Sequence, residues 1–388
     1  MRPLGLLLLL AATVYAGDKP KLLTSPKERL ESIQADSKAA TAAYFKANEG
    51  LPDTPEGTKK SGELYKAYDQ GQADRFLAAV QIAKANSDSD VGLEALEWVL
   101  TTPRSYYLPA GKAAMELATE KYETNPKIGK IIAWLGYYPP SETVDSYKAL
   151  HALIHAVAEK NPDRTARGQA EMSLAWQAGA KFAVAEYKKS PDLEKLAGEA
   201  ENAFQKVLDD YGDCYWLKGD GKKTLGEEAK QEILELRHLR VGKTAPDIEG
   251  ENLDGTKFKL GDSNGKIRVV VYWASWCGPC MAMVPHEKKL VARLKDRPFV
   301  LIGVNGDEDL KKAKQAVADH EMTWASFWNG PKGPAGPLAR AWNVRLWPTI
   351  YVLDDRGVIR FKNPTSKELN AAVDELLEEL DKKVKDRK

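Results

Sequence analysis

Trp276-Cys277-Gly278-Pro279-Cys280 follows directly on the apolar run Arg268-Val-Val-Val-Tyr-Trp273. The run is short, β-branched and aromatic, which predicts a buried strand. The residues beyond it predict a helix from Gly278 to Leu294, so Cys277 falls at a strand-to-helix turn. A thiolate there faces the partial positive charge of the helix N-terminus, which lowers a thiol pKa. Cys280, nearly one turn further on, is placed to close a small ring with Cys277. Such a pair cycles between dithiol and disulfide by exchange through a mixed disulfide. A bare Cys-x-x-Cys is also half of a zinc site, which needs two more ligands at matching spacing. The only other cysteine, Cys214, lies far upstream, and of the histidines only His286 is near. Redox chemistry is the reading and zinc the alternative; no cofactor or metal is expected.

The 388 residues suffice for two or three domains. A hydrophobic share of 43% and a charged share of 29% are those of an ordinary globular chain. The formal net charge of +1 offers no basic excess to neutralise phosphates, so no nucleic-acid partner is expected. At the start, Arg2 precedes the apolar stretch Leu4–Val14 and the small residue Ala16. This pattern predicts a secretory signal over residues 1–16, cleaved near Ala16, and an extracytoplasmic mature protein, periplasmic or secreted. The stretch is short for a bilayer span, which needs roughly 20 residues.

Residues 24–240 predict an all-α region of about eight helices in antiparallel pairs, as helical hairpins or a bundle. Ser25-Pro26-Lys27-Glu28 carries a Ser cap, a first-turn Pro and a capping-box Glu. Asn161-Pro162, Ser190-Pro191 and Thr224-x-x-Glu227 read as further starts. Apolar stripes recur at helical spacing, as in Leu150, Leu153, Ile154 and Val157. Breaks fall at 51–55, 102–103, 138–140 and 219–221. Several segments have a tetratricopeptide-like character without a regular 34-residue period. The region is either a bundle with no site of its own or a docking surface for a partner.

The pattern changes at Val241-Gly-Lys-Thr-Ala-Pro246. A hairpin across Asp254-Gly255, the strand 268–273, the helix 278–294, a strand 299–304 and a helix around Leu310 follow. Then come an aromatic stretch, Trp324 to Trp328, and a short helix 337–342. Last are a hairpin, 349–353 and 358–361, and an amphipathic helix opened by Thr365 and Glu368. Alternating strands and helices closed by a hairpin predict an α/β mixed sheet covered on both faces.

Val-Gly-Lys-Thr-Ala-Pro-Asp at 241–247, the stretch 265–280 ending in Cys-Gly-Pro-Cys, Pro285, and Trp347-Pro348-Thr349 together resemble the thioredoxin fold. Within it they resemble the TlpA-like extracytoplasmic disulfide reductases, over about residues 241–384 of a domain 241–388. The pairing with a helical region resembles secreted planctomycete-type proteins. The resemblance implies that Cys277 is an exposed attacking thiolate and Cys280 a more buried resolving thiol, joined as a redox disulfide in the oxidised state. It implies a cis Pro348 facing the pair, with Trp276, Trp347 and Pro348 as the substrate-docking surface. Trp347 is bulky for its place and is expected to narrow substrate choice. Pro285 is expected to kink the helix. Two departures stand out. Val271 occupies the place where thioredoxin carries a buried Asp, and Met283 the place where TlpA-like proteins often carry a Glu. No side-chain base for Cys280 is evident, and His286 reads as a surface residue.

The function expected is extracytoplasmic thiol–disulfide exchange that reduces protein disulfides, with an upstream thiol donor, by analogy a membrane carrier. Two alternatives stand beside it. One is a partner-binding helical scaffold carrying a regulatory thioredoxin-like module. The other is a peroxide reductase, against which Ala274 stands where a peroxidatic site needs Thr. Cys214 reads as a small buried hydrophobe, or as a contact with the redox pair or another chain.

Overall fold

The computed structural model describes residues 25–87, 89–137, 144–216 and 223–386. The expected signal segment 1–16 and the breaks at 138–140 and 219–221 lie outside them. The chain forms two compact units, which divide between Ala229 and Lys230.

The first unit is helical: α1 (Pro26–Asn48), α2 (Pro55–Ala85), α3 (Asp90–Thr101), α4 (Pro109–Tyr122), α5 (Gly129–Tyr137), α6 (Ser146–Lys160), α7 (Arg164–Tyr187) and α8 (Leu193–Tyr211), then the start of α9 (Leu225–His238). The Ser25 capping box forms as expected, with Oγ accepting from the Glu28 amide at 3.1 Å. Thr224 and Glu227 cap each other reciprocally. Two starts lie later than expected. α7 is capped by Asp163, whose Oδ1 accepts from the Ala166 amide. The Asn161 side chain instead donates to the carbonyls of Glu123 and Asn125. α8 begins two residues after Pro191: Lys189, at φ 52°, belongs to the turn that closes α7, and Ser190 Oγ accepts from the Asp192 amide ahead of the helix. Helices adjacent in sequence pack together, as α1 on α2 and α7 on α8, and so do α4 on α6 and α5 on α7. Leu96, Met115, Ile131, Leu150, Leu153 and Ile154 are fully enclosed in their shared core.

The second unit contains the rest of α9, a small hairpin of β1 (Glu249–Glu251) and β2 (Lys257–Lys259), then β3 (Ile267–Trp273), α10 (Gly278–Arg293) and β4 (Phe299–Asn305). α11 (Leu310–Asp319), β5 (Ser326–Trp328), α12 (Pro337–Ala341), β6 (Thr349–Leu353), β7 (Ile359–Lys362) and α13 (Ser366–Lys385) complete it. The sheet order is β5-β4-β3-β6-β7. β4 and β5 run parallel to β3, whereas β6 pairs antiparallel with β3 and β7 antiparallel with β6, so the sheet is mixed. Every residue of β3 is buried. Alternation along it assigns each side chain to a face. Val269, Val271 and Trp273 join a core with residues of α10, α11 and α13. Val270 and Tyr272 join another with Leu239, Leu338 and Trp342. Enclosing each of these valines stabilises the fold by about 1.5–3 kcal/mol relative to exposure. This is the thioredoxin fold, with helices on both faces of the central strand.

Candidate functional site

Strand β3 is central and ends at Trp273, so the chain leaves the sheet edge-on at Ala274 and turns into α10. Cys277 is the N-cap of α10, with extended backbone, and its Sγ accepts from the Cys280 amide at 3.2 Å. That amide is one of the four at a helix start without an intrahelical acceptor. It is therefore free to stabilise negative charge on the sulfur when the pair is reduced. Cys277 and Cys280 are joined as a disulfide, with Cα atoms 5.2 Å apart. α10 continues through Pro285.

One expectation needs correction. Cys277 is 4% exposed and Cys280 is 3% exposed, so the first sulfur is nearly as enclosed as the second. Both belong to the core that packs against β3. The exposed group is Trp276, at 55%. Its ring lies 5.9 Å from that of Trp347, centroid to centroid. The Trp347-Pro348 bond is cis and enters β6, whose Thr349 pairs with Tyr272 near the end of β3. The cis proline thus lies at the sheet end from which the cysteine loop departs. Trp347 is half-buried, and its ring occupies the space where a Cβ on Gly306 would come within 2.4 Å. Gly306 is therefore required by close approach. Leu346, beside Trp347, is 75% exposed and extends the apolar rim.

A clamp that the sequence reading missed holds the loop from below. Asp307 is buried, and its carboxylate accepts from the Ser275 amide at 3.0 Å, the Ser275 hydroxyl at 2.6 Å and the Asn305 side chain at 2.7 Å. Asn305 Oδ1 in turn accepts from the Asp307 amide at 3.0 Å. The Trp273 carbonyl accepts from the Gly306 amide at 2.8 Å. Together these tie the end of β3 to the end of β4 and fix Ser275, two residues before Cys277. The available signal was Asn305-Gly-Asp307 immediately after an apolar strand, a turn sequence at the same sheet end as the cysteines.

The second missed group is Glu287, on α10. It is 4% exposed, and burial pushes its carboxyl up to about 7. His286 is half-buried rather than a surface residue: its Nε2 is enclosed without a hydrogen-bond partner, and burial, then Lys289 and Arg293, lowers its pKa. Ala274, the position at which peroxide chemistry needs a threonine, is fully buried. Cys214 is buried in the helical unit, with the Arg164 guanidinium 3.5 Å from its sulfur, and is unpaired. Among the described residues, no group of three or more His, Cys, Asp or Glu side chains is placed to hold a metal ion.

A thioredoxin-fold domain with a cysteine pair capping its first long helix and a cis proline at the same sheet end defines a class of protein, and comparison with known proteins agrees. Residues 240–377 match the Redoxin family. Thioredoxin-like protein YneN of Bacillus subtilis (strain 168) is 31% identical over 141 residues, 35% of this chain and 80% of that protein. The chain belongs to the thioredoxin-like family. Thiol-disulfide oxidoreductase ResA of Oceanobacillus iheyensis is 27% identical over 124 residues, covering 31% of this chain and 62% of ResA. A solved structure of a putative thiol:disulfide interchange protein DsbE from Chlorobium tepidum is 27% identical, with a TM-score of 0.33, and is matched over 36% of this chain and 98% of its own length. Residues before 240 lie outside the Redoxin match.

Proposed function

We propose that this protein is a thiol–disulfide oxidoreductase that reduces disulfides in protein substrates through Cys277 and Cys280. The observation that carries the reading is the placement of two bonded sulfurs at the N-cap of α10, beside the cis peptide at Pro348. In the reduced protein the Cys277 thiolate attacks one sulfur of a substrate disulfide. The other substrate sulfur leaves as a thiolate and takes a proton from water. Cys280 loses its proton and attacks Cys277, which releases the second substrate thiol and leaves the Cys277–Cys280 disulfide. A dithiol donor then restores the pair. Only an edge of Cys277 reaches solvent, so the substrate must approach across Trp276, with Trp347 and Pro348 lining the far side. An extended segment suits that approach, because β-type pairing with the backbone at Trp347 would hold it in place.

The names of the relatives YneN and ResA support thiol–disulfide exchange, and the 1–16 pattern supports export, with action outside the cytoplasm as a TlpA-like reductase. Among the described residues, no helix is long and apolar enough to cross a membrane. The test is insulin reduction by the dithiol-regenerated protein. Wild type is expected to turn over, and Cys280→Ser to stall as a mixed disulfide after one attack. A Cys280→Ser variant that works at the wild-type rate would sink the two-thiol scheme. Equilibration against glutathione settles the direction of net flow, because about 30 mV shifts the equilibrium tenfold.

A further inference from the structure

We propose that Glu232 and Glu235 of α9 are positioning residues for substrate docking: they hold the loop 343–347, which carries Leu346 and Trp347 up to the cis Pro348, in the place where a protein disulfide is received. The inference rests on the oxidoreductase reading and deepens it. Both glutamates precede the Redoxin match, which begins at residue 240, so a segment outside that family supplies the support.

The loop starts where α12 ends. α12 closes in a Schellman pattern: the Asn343 amide donates to the Arg340 carbonyl at 3.2 Å, and the Val344 amide to the Ala339 carbonyl at 2.8 Å. Asn343 takes the left-handed conformation this closure needs, φ 47°, which asparagine tolerates better than most residues. The far end of the loop is fixed by Thr349, whose hydroxyl donates to the Leu346 carbonyl at 2.7 Å. Between these anchors, side chains of the loop reach α9. Asn343 Nδ2 donates to Glu235 Oε2 at 3.3 Å, and Asn343 Oδ1 accepts from Arg345 Nε at 3.1 Å. Arg345 Nη2 lies 2.8 Å from Glu232 Oε1. The other oxygen of Glu235 pairs with Lys362 of β7. Each carboxylate therefore meets a cation, and Asn343, both donor and acceptor, links the two pairs.

Glu232 and Glu235 are three residues apart and share a helix face. Only 20% and 23% of their side chains are exposed, so water screens these pairs less than it screens open surface pairs, which contribute little. Leu234 of α9 and Leu239 beyond it join the core on which Val344 and Trp347 rest. Apolar packing is non-directional, so it seats the loop without fixing its lateral position. The charge-assisted contacts have defined geometry and fix that position. The tethered residues, Asn343 and Arg345, stand immediately before the exposed Leu346 and the half-buried Trp347. A small displacement of the tethers therefore moves the rim that faces Trp276. Glu232 and Glu235 act through this loop and take no part in the sulfur chemistry.

The test compares two substrates of the reduced full-length protein: insulin, which needs the docking rim, and Ellman's aromatic disulfide, which is too small to span it. Glu232→Gln and Glu235→Gln are each expected to raise KM for insulin about fivefold, with kcat and the rate on Ellman's disulfide within about twofold of wild type. Exchanging the charges, Glu232→Arg with Arg345→Glu, is expected to bring KM back to within about twofold of wild type. Arg345→Gln breaks the same tether from the loop side and is expected to raise KM as Glu232→Gln does, which keeps the test open should a glutamate variant not fold. An unchanged KM for insulin in the folded variants overturns the inference. Equal slowing on both substrates also overturns it, since that is general damage to the fold. A wild-type protein that reduces neither disulfide would instead remove the oxidoreductase reading itself.

Discussion

Cys214 in the helical unit and Cys277 in the thioredoxin-fold unit are both buried sulfurs beside a source of positive potential. For Cys214 that source is the Arg164 guanidinium at 3.5 Å. For Cys277 it is the start of α10, with the Cys280 amide at 3.2 Å. What separates them is neither burial nor field. Cys277 has a second sulfur within bonding reach, and its loop leaves the sheet at an exposed end flanked by Trp276 and Leu346. Cys214 has no second sulfur bonded to it, and Arg164 is already held by Asp213 in a two-pronged ion pair, so its charge is spent on fixing a turn. Electrostatics prepares a thiol; a partner and a route out make it a redox group.

The sharpest way to break that contrast is to remove each sulfur in turn. Cys277→Ala is expected to lower insulin reduction by at least about a thousandfold, on the order of 4 kcal/mol of transition-state free energy. Cys214→Ala is expected to leave the rate within about twofold and to change only the unfolding midpoint. A large loss of reduction in the Cys214 variant would show that the two units share the chemistry.

A second test concerns stability. Glu287 has a folded-state pKa of about 7, above the usual carboxylate value of 4.5. Between those two values the unfolded chain has lost this proton and the folded one keeps it. Stability therefore falls as pH rises through this window, by about 1.4 kcal/mol per pH unit and about 3 kcal/mol in all, and is level above it. Glu287→Leu is expected to abolish this slope, so that the variant gains on wild type progressively from about pH 4.5 to 7. Urea unfolding across that range measures it; an unchanged slope would assign the ionisation to another group.

These tests also mark what could be read from residues alone. The strand β3, the turn at Cys277 and the last hairpin were legible because short-range signals agree there: β-branched residues, a first-turn Pro279, and Gly357 at φ 89°. The strand β5 was not, since Ser326-Phe-Trp328 sits in an aromatic stretch without alternation and is defined by pairing with β4. Asn161-Pro162 looked like a cap because Asn caps helices, yet its amide serves two carbonyls far away in sequence. Burial of a charged side chain is a tertiary property, which is why Glu287 and Asp307 escaped notice. The stripe Cys280, Val284, Glu287 was nonetheless available from helical spacing. The enclosure of Cys277 also depends on neighbours brought in by the fold, chiefly the core that surrounds both sulfurs.

The smallest effect expected comes from the clamp under the loop, and it sharpens the contrast between a sulfur that is merely polarised and one that is aimed. Asp307→Asn keeps the shape of the side chain but removes one of its two acceptor oxygens in effect, since the amide nitrogen cannot accept from Ser275 or Asn305. One buried donor is left without a partner, which costs about 1–3 kcal/mol. Neither cysteine is touched, so a fully competent redox pair should survive, and its reduction potential should stay close to wild type. The loss should fall on how the loop meets substrate: a KM for insulin raised several-fold with kcat less affected. Ser275→Ala removes the hydroxyl donor together with its bond and should cost less. If Asp307→Asn instead moved the potential and left KM unchanged, the clamp would be acting on the sulfurs directly, and positioning through Ser275 would be the wrong account.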